Sequence, residues 1–333
     1  MVLNIIFKFI IFTFVLWLIL KLEYEKNINE KFMNKERIIN EKHKENKNKK
    51  NIAVSFATDN KYIYPTIVSL ASLVINASIN TFYNIYILHT PDFSDNSKHF
   101  LKSIEDKYSY ICQINFINMK NKYKDLPLND QKAIPTYYRL SLQDLLPEVD
   151  KIIYLDGDTL IFEDLKELIE IEMKENLILG FLDSVPDAIN NFGFKNPTVL
   201  NAGVLLMDLN GLRKYNFSQK IVDFFSIYPN NITQHDQTII NVVLQDKIAP
   251  IPPKYGIWAW NTNQEAIEHL EKQWPKLKYN KKDFYDAIKH PAIVHYVWPK
   301  PFWRFVTKYY DKWWNYARST GYFFQIYFNS PQL

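Results

Sequence analysis

From Asn51 onward, short apolar runs alternate with amphipathic stretches, and this alternation constrains the fold more than any other feature. "NIAVSFATD" (51–59), "NIYILHT" (84–90), "YICQINFIN" (110–118) and "KIIYLDGDTLI" (151–161) are apolar runs of strand length. Between them, "YPTIVSLASLVINA" (64–77), residues 94–108 and "PTYYRLSLQDLLP" (135–147) read as helices. Pro65 falls near a first turn, where proline is tolerated, and Pro135 and Pro147 bound the third helix. Strands alternating with helices predict an α/β fold with a mostly parallel sheet covered on both faces. The second half is less regular. "LILGFLDSV" (177–185), "LNAGVLLMDL" (200–209) and "AIVHYV" (292–297) read as strands, and residues 211–225 and 234–246 as helices. No internal repeat or second linker interrupts the body, so a single domain is expected.

In sheets of this kind, ligands bind beyond the carboxyl ends of the strands. Asp59 falls at one such end, and Asp156 and Asp158 at another. Side chains two apart on a strand face the same way, and Gly157 between the two aspartates allows close backbone approach. Two carboxylates this close repel unless a proton or cation is shared. Their hard oxygen atoms suit Mg²⁺ or Mn²⁺. A solvated Asp-Gly-Asp turn is the plain alternative. A phosphatase of the Asp-x-Asp-x-Thr type is another, but Thr159 comes one place early, Leu160 stands where threonine is needed, and the strand comes fourth rather than first.

Composition removes several classes. The chain has 7 glycines in 333 residues, and neither GxGxxG nor GxxxxGK[ST] occurs, so a nucleotide, if one is bound, must be held without a glycine-rich loop. Cys112 stands alone, which excludes an internal disulfide and a cysteine-rich zinc site. A net charge of +4 on 40 basic and 36 acidic residues argues against a nucleic-acid partner.

Residues 1–22 include the apolar run "VLNIIFKFIIFTFVLWLILKL", long enough for a membrane-anchor helix if Lys8 reaches the interface. The following "LILKLEYEK" lacks the small residues of a cleavage site, so an uncleaved, single-pass, membrane-anchored chain is expected. Residues 23–50 are rich in Lys, Glu and Asn and read as a charged, solvated stalk. The aromatic-rich segment 304–333 either lies at a membrane interface or packs on the domain as a helix, and the packed helix is the expectation.

Six motifs follow in order over residues 51–303: "FATDNKY" (56–62), "IPTYYRL" (134–140), "YLDGDTL" (154–160), "LNAGVLLMDL" (200–209), "HDQTIIN" (235–241) and "HYVWPKPFW" (295–303). Together they resemble glycosyltransferase family 8, the retaining transferases of the glycogenin and lipopolysaccharide galactosyltransferase kind. The resemblance implies one nucleotide-sugar-binding domain of the glycosyltransferase A-type, with a mixed, mostly parallel sheet flanked by helices. It implies a UDP-sugar donor carrying glucose or galactose, and a glycan, lipid-linked or protein acceptor.

The resemblance also assigns roles. Asp156, Asp158 and His295 match the metal ligands, and the ion would be Mn²⁺, with Mg²⁺ as the alternative. Asp59 matches the residue that bonds the uracil edge and Tyr62 the one that stacks on the ring, with Ala57 and Thr58 beside them. Arg139 matches an arginine that reaches the donor sugar and phosphate, and a guanidinium fork fits oxyanions. Lys300 would add charge on the phosphates. Asn201, Ala202 and Gly203 match a sugar-facing turn, Asp183 a sugar contact, and Asp236 with Gln237 the pair beside the anomeric carbon. An amide such as Gln237 is a poor nucleophile, so a front-face route is expected rather than the covalent carboxylate route of many retaining glycosidases. Trp298 departs from the family pattern by replacing the glycine that lets the backbone approach the diphosphate. That departure leaves a catalytically impaired, sugar-nucleotide- or glycan-binding relative as the alternative.

Overall fold

The first apolar run becomes β1 (Lys50–Thr58), and its position explains why it is apolar throughout. It lies inside a seven-stranded sheet, flanked by β2 (Thr81–His89) and β4 (Lys151–Leu155), and Ile52, Val54 and Phe56 are wholly buried. The computed structural model describes residues 41, 46, 48–124, 134–183, 189, 192–194, 198–229, 231–259, 279–297 and 309–329. The chain divides into residues 1–47 and 48–333, and the sheet belongs to the second unit.

The sheet order is β3-β2-β1-β4-β7-β6-β8, with β3 at Cys112–Asn118, β6 at Ile178–Leu182, β7 at Leu200–Asp208 and β8 at Ile248–Pro250. The first four strands pair in parallel, as the helical crossovers require. β7 then runs antiparallel to both β4 and β6, and β6 pairs parallel with β8, so the sheet is mixed. The helices α1 (Ile63–Ile75) and α2 (Asp95–Lys107) join β1 to β2 and β2 to β3. Residues 134–145 form three short helical turns where a single helix is predicted. Residues 211–225 likewise do not form one helix. Asn216, at φ +57°, separates a short helix at Leu209–Lys214 from α3 (Phe217–Ile227). α4 (His235–Val243) covers the start of β7.

One sequence expectation is corrected in a way that matters for the site. "KIIYLDGDTLI" is not a single strand. β4 ends at Leu155, and β5 (Thr159–Ile161) belongs to a second sheet of order β5-β10-β9, with β9 at Ile257–Trp258 and β10 at Ile293–His295. The residues between, Asp156 to Asp158, form the turn that carries the chain from one sheet to the other. Thr159 closes that turn, its N–H and its hydroxyl both donating to the Asp156 carbonyl, at 3.2 and 2.9 Å.

The polar residues of α1 support this crossing. Ser69, Ser72 and the C-cap Asn76 recur at near-helical spacing and bond β5, while Thr66, one turn earlier, lies against Gly157. Ser69 bonds the Thr159 hydroxyl at 2.8 Å, and Ser72 accepts the Ile161 N–H at 2.9 Å. The Asn76 amide donates to the Ile161 carbonyl at 3.0 Å and to the Tyr316 hydroxyl at 2.7 Å. Leaving such buried groups unpaired costs about 1–3 kcal/mol each. Tyr316 lies on α6 (Tyr310–Ser319), which follows α5 (Lys281–Lys289) and buries Trp313 and Trp314, so this part of the aromatic segment packs on the domain.

The membrane-anchored expectation is corrected as well. Among the described residues no helix is long and apolar enough to cross a membrane, and residues 1–22, where an anchor helix is expected, lie outside them. The stalk expectation at 23–50 falls almost wholly outside them too, apart from residues 41, 46 and 48–50.

Candidate active site

The carboxyl ends of β1 and β4 and the start of β7 meet at one edge. Asp59, just past β1, accepts the N–H groups of Lys61 and Tyr62 on Oδ1 at 2.9 and 2.8 Å. That turn starts α1 and fixes Tyr62. Thr58 and Thr66 share a hydroxyl contact of 3.0 Å, and Ala57 is buried beside them. Tyr62 crosses over the Asp-Gly-Asp turn. A Cβ on Gly157 would lie 3.3 Å from its ring and 2.4 Å from Thr66 Oγ1, so only glycine fits there.

Asp156, Asp158 and His295 converge, with one ligand atom from each lying within 4.8 Å of the others. His295 Nε2 is 3.1 Å from Asp158 Oδ1 and 3.6 Å from Asp156 Oδ2. The opposite oxygens are held from behind. Tyr62 donates to Asp158 Oδ2 at 2.7 Å, while Arg139 and Tyr154 donate to Asp156 Oδ1 at 2.9 and 3.0 Å. Each acid thus turns one oxygen toward the imidazole nitrogen. Two hard oxygens and one imidazole form a donor set that suits a divalent ion such as Mn²⁺. The aspartates converge through a turn and not through the strand pleat expected from their spacing.

Gly203 sets the position of His295, the third candidate ligand. A Cβ there would fall 2.0 Å from His295 Cε1, so glycine is what lets the imidazole lie against β7. The Gly203 carbonyl also accepts the Asp156 N–H at 2.8 Å, and its own N–H bonds Asn201 Oδ1 at 3.0 Å. The "NAGV" segment therefore braces the ligand cluster.

Arg139 lies beneath the cluster and is 2% exposed, which excludes a surface charge. Its Nε donates to the Thr136 carbonyl at 2.8 Å, Nη1 to the Ala202 carbonyl, and Nη2 to Asp156. The guanidinium also sits over the Tyr154 ring, 4.2 Å from its centroid. Asp236 Oδ2 is 2.9 Å from Arg139 Nε, but the Nε hydrogen points at Thr136, so this buried oxygen has charge pairing without a directed hydrogen bond. Burial raises the Asp236 carboxyl above its ordinary value, with Arg139 opposing the shift. Burial would lower the Arg139 guanidinium, but Asp156 and Asp236 hold it above its ordinary value. With all three acids ionised, Asp156, Asp158 and Asp236 against Arg139 carry a net charge of −2, which one divalent cation would balance.

Gln237 follows on α4, after His235 at φ +48°, a conformation non-glycine residues seldom adopt. Its Oε1 accepts the Ala202 N–H at 3.1 Å, and its Nε2 donates to Asp183 Oδ2 at 3.0 Å and to Gln234. Gln237 thus ties Asp183 to the segment that braces the ligands. Lys300 and Trp298 lie outside the described residues. Among the described residues, supports such as Tyr154, Thr66 and Gln234 escape the sequence reading. Tyr154 stands two residues before Asp156, and strand periodicity would have placed it on the same face.

Residues 53–307 match the family described as glycosyl transferase family 8. The chain belongs to that family. A lipopolysaccharide 1,2-glucosyltransferase of Escherichia coli is 25% identical over 288 residues, 84% of this chain and 78% of that protein. General stress protein A of Bacillus subtilis is 25% identical over 262 residues, 75% of this chain and 87% of the relative. Among solved structures, the galactosyltransferase LgtC, in complex with donor and acceptor sugar analogues, superposes with a TM-score of 0.67 at 20% identity, covering 80% of this chain and 96% of LgtC. That likeness shows the glycosyltransferase A-type fold, with its mixed sheet flanked by helices. The protein is a family 8 glycosyltransferase with a candidate Asp-Asp-His metal site.

Proposed function

We propose that this family 8 member transfers a hexose, glucose or galactose, from a UDP-sugar to a glycan, lipid-linked or protein acceptor in a Mn²⁺-dependent reaction that retains anomeric configuration. The observation that carries the reading is the convergence of Asp156, Asp158 and His295 at the sheet edge. The names of two relatives, a glucosyltransferase and a galactosyltransferase, support a hexose donor.

Asp156 Oδ2, Asp158 Oδ1 and His295 Nε2 would hold the ion, and the ion would offset the charge of the departing diphosphate. Asp59 and Tyr62 stand beside Ala57 and Thr58, where a nucleobase would be recognised by an acceptor oxygen and an aromatic face. Lys300 would add a positive charge on the phosphates. Gln237 holds Asp183 and Ala202 in place, and its carbonyl is occupied by the Ala202 N–H, so it would position the donor sugar and not attack it. Asp236 would act on the site indirectly, by pairing with Arg139, which holds Asp156.

The test is incubation of the full chain with UDP-glucose or UDP-galactose and Mn²⁺. UDP should be released, by slow hydrolysis if no acceptor is supplied, and chelation should stop it. No release, together with no Mn²⁺-dependent binding of UDP by calorimetry, would sink the reading.

A further inference from the structure

Tyr62 touches both halves of the site. Its backbone is fixed on the Asp59 side, where its N–H donates to Asp59 Oδ1 at 2.8 Å and its carbonyl accepts the Thr66 hydroxyl at 2.7 Å. Its hydroxyl reaches the other side, donating to Asp158 Oδ2 at 2.7 Å. The ring between lies against Gly157, close enough that a Cβ there would sit 3.3 Å away. Asp158 is 2% exposed, and its other oxygen is the one that faces His295.

We propose that the Tyr62 hydroxyl is a positioning group for the metal site, holding Asp158 so that Oδ1 alone faces the ion, and that one side chain thereby links nucleobase contact to metal binding. The proposal rests on the UDP-sugar and metal reading above. Rotation of the Asp158 carboxylate would cost the hydrogen bond to Tyr62. The ring cannot withdraw without losing its seat on Gly157 or disturbing the turn that starts α1. Any ligand that packs on the ring face therefore also steadies a metal ligand. Outer supports of this kind are typically worth about 10- to 100-fold in metal affinity.

The experiment compares the wild-type full chain with Tyr62→Phe and Tyr62→Ala. Mn²⁺ affinity is read from the electron paramagnetic resonance signal of free Mn²⁺, and UDP affinity is read by calorimetry in chelator. Tyr62→Phe keeps the ring and its packing, and a thermal melt close to wild type checks its fold. It should weaken Mn²⁺ binding about 10-fold and leave metal-free UDP affinity within about twofold. Tyr62→Ala should weaken both. Wild-type Mn²⁺ affinity in Tyr62→Phe would overturn the proposal and leave the functional reading standing. Equal loss of metal-free UDP affinity in the two variants would also overturn it, because the hydroxyl would then serve the nucleotide. A wild-type protein that binds no Mn²⁺ would remove the functional reading and this proposal together.

Discussion

Asp156 and Asp158 stand before β5, and Asp164 stands after it. All three are acids in one eleven-residue stretch, "YLDGDTLIFED". Asp164 is saturated by neutral donors. Its Oδ1 accepts the Thr81 hydroxyl at 3.1 Å and the Lys166 N–H at 2.9 Å, and its Oδ2 accepts the Ser78 N–H at 2.8 Å and the Tyr83 hydroxyl at 3.0 Å. It fastens the loop between α1 and β2 to the end of β5. Asp156 and Asp158 are held differently. In each, one oxygen is gripped from behind and the other is turned toward a second acid and a histidine nitrogen. A carboxylate with both oxygens answered by neutral donors is a fastening, whereas paired carboxylates turned toward each other favour a cation between them.

The comparison breaks most sharply at the cluster. The double change Asp156→Ala with Asp158→Ala should abolish Mn²⁺ binding and lower UDP release by more than about 100-fold, beyond the loss typical of an outer support. Without metal the fold should persist with a lowered melting temperature, because relief of the like-charged pair is set against Arg139, Tyr154 and Tyr62 losing their acceptors. Mn²⁺ with UDP should stabilise the wild type, by about 2.7 kcal/mol at a hundred times Kd, and leave the variant unmoved. Retained metal affinity would contradict the ligand assignment.

Gly203→Ala tests the same cluster without touching a ligand. The added Cβ would overlap the His295 ring, so the ring must shift. Mn²⁺ affinity should fall about 10- to 100-fold, in the range of outer-shell changes, while the fold persists. An unchanged titration would mean that His295 is not a ligand.

Asp164→Ala should do the reverse. Four donors lose their acceptor, so unfolding free energy should drop by about 2–3 kcal/mol in a denaturant titration. Mn²⁺ affinity should stay within about twofold, because the described hydrogen bonds of Asp164 go to Thr81, Lys166, Ser78 and Tyr83 and not to the residues that hold the cluster. Loss of metal binding without loss of stability would erase the distinction between the two ends.

The sequence distinguishes these regions only in part. The parallel half of the sheet is legible because its strands and crossovers have distinct periodicities, but β8 and β9 are too short to show one. The break at Asp156 is hidden because β4 and β5 are both apolar, and nothing local says that the chain changes sheets. Motif order alone picks out Asp156, Asp158 and His295, which the fold brings together, and also Asp59, Asp236 and Gln237. The partners that hold them are not legible, since Tyr62 with Asp158, Arg139 with Asp236 and Gly203 with His295 each join residues far apart in the chain. Arg139 shows this most plainly. Its motif suggests a group that reaches the donor, yet its described donors go to Thr136, Ala202 and Asp156, inside the protein.

Asp236 lies between the two cases and should give the smallest effect. It is buried like Asp158, but its Oδ2 meets Arg139 by charge alone. Burial raises its carboxyl despite Arg139, so the folded state holds this proton more tightly than the unfolded state does. Its contribution to stability is therefore full below the ordinary aspartate value of about 3.9 and is lost as pH rises through the raised folded value. Asp236→Asn removes that titration. In denaturant midpoints measured from pH 4 to pH 7, the variant should gain on the wild type as pH rises across this window. If instead the wild type gains on the variant with rising pH, Arg139 outweighs burial, and Asp236 belongs with the ion-paired acids.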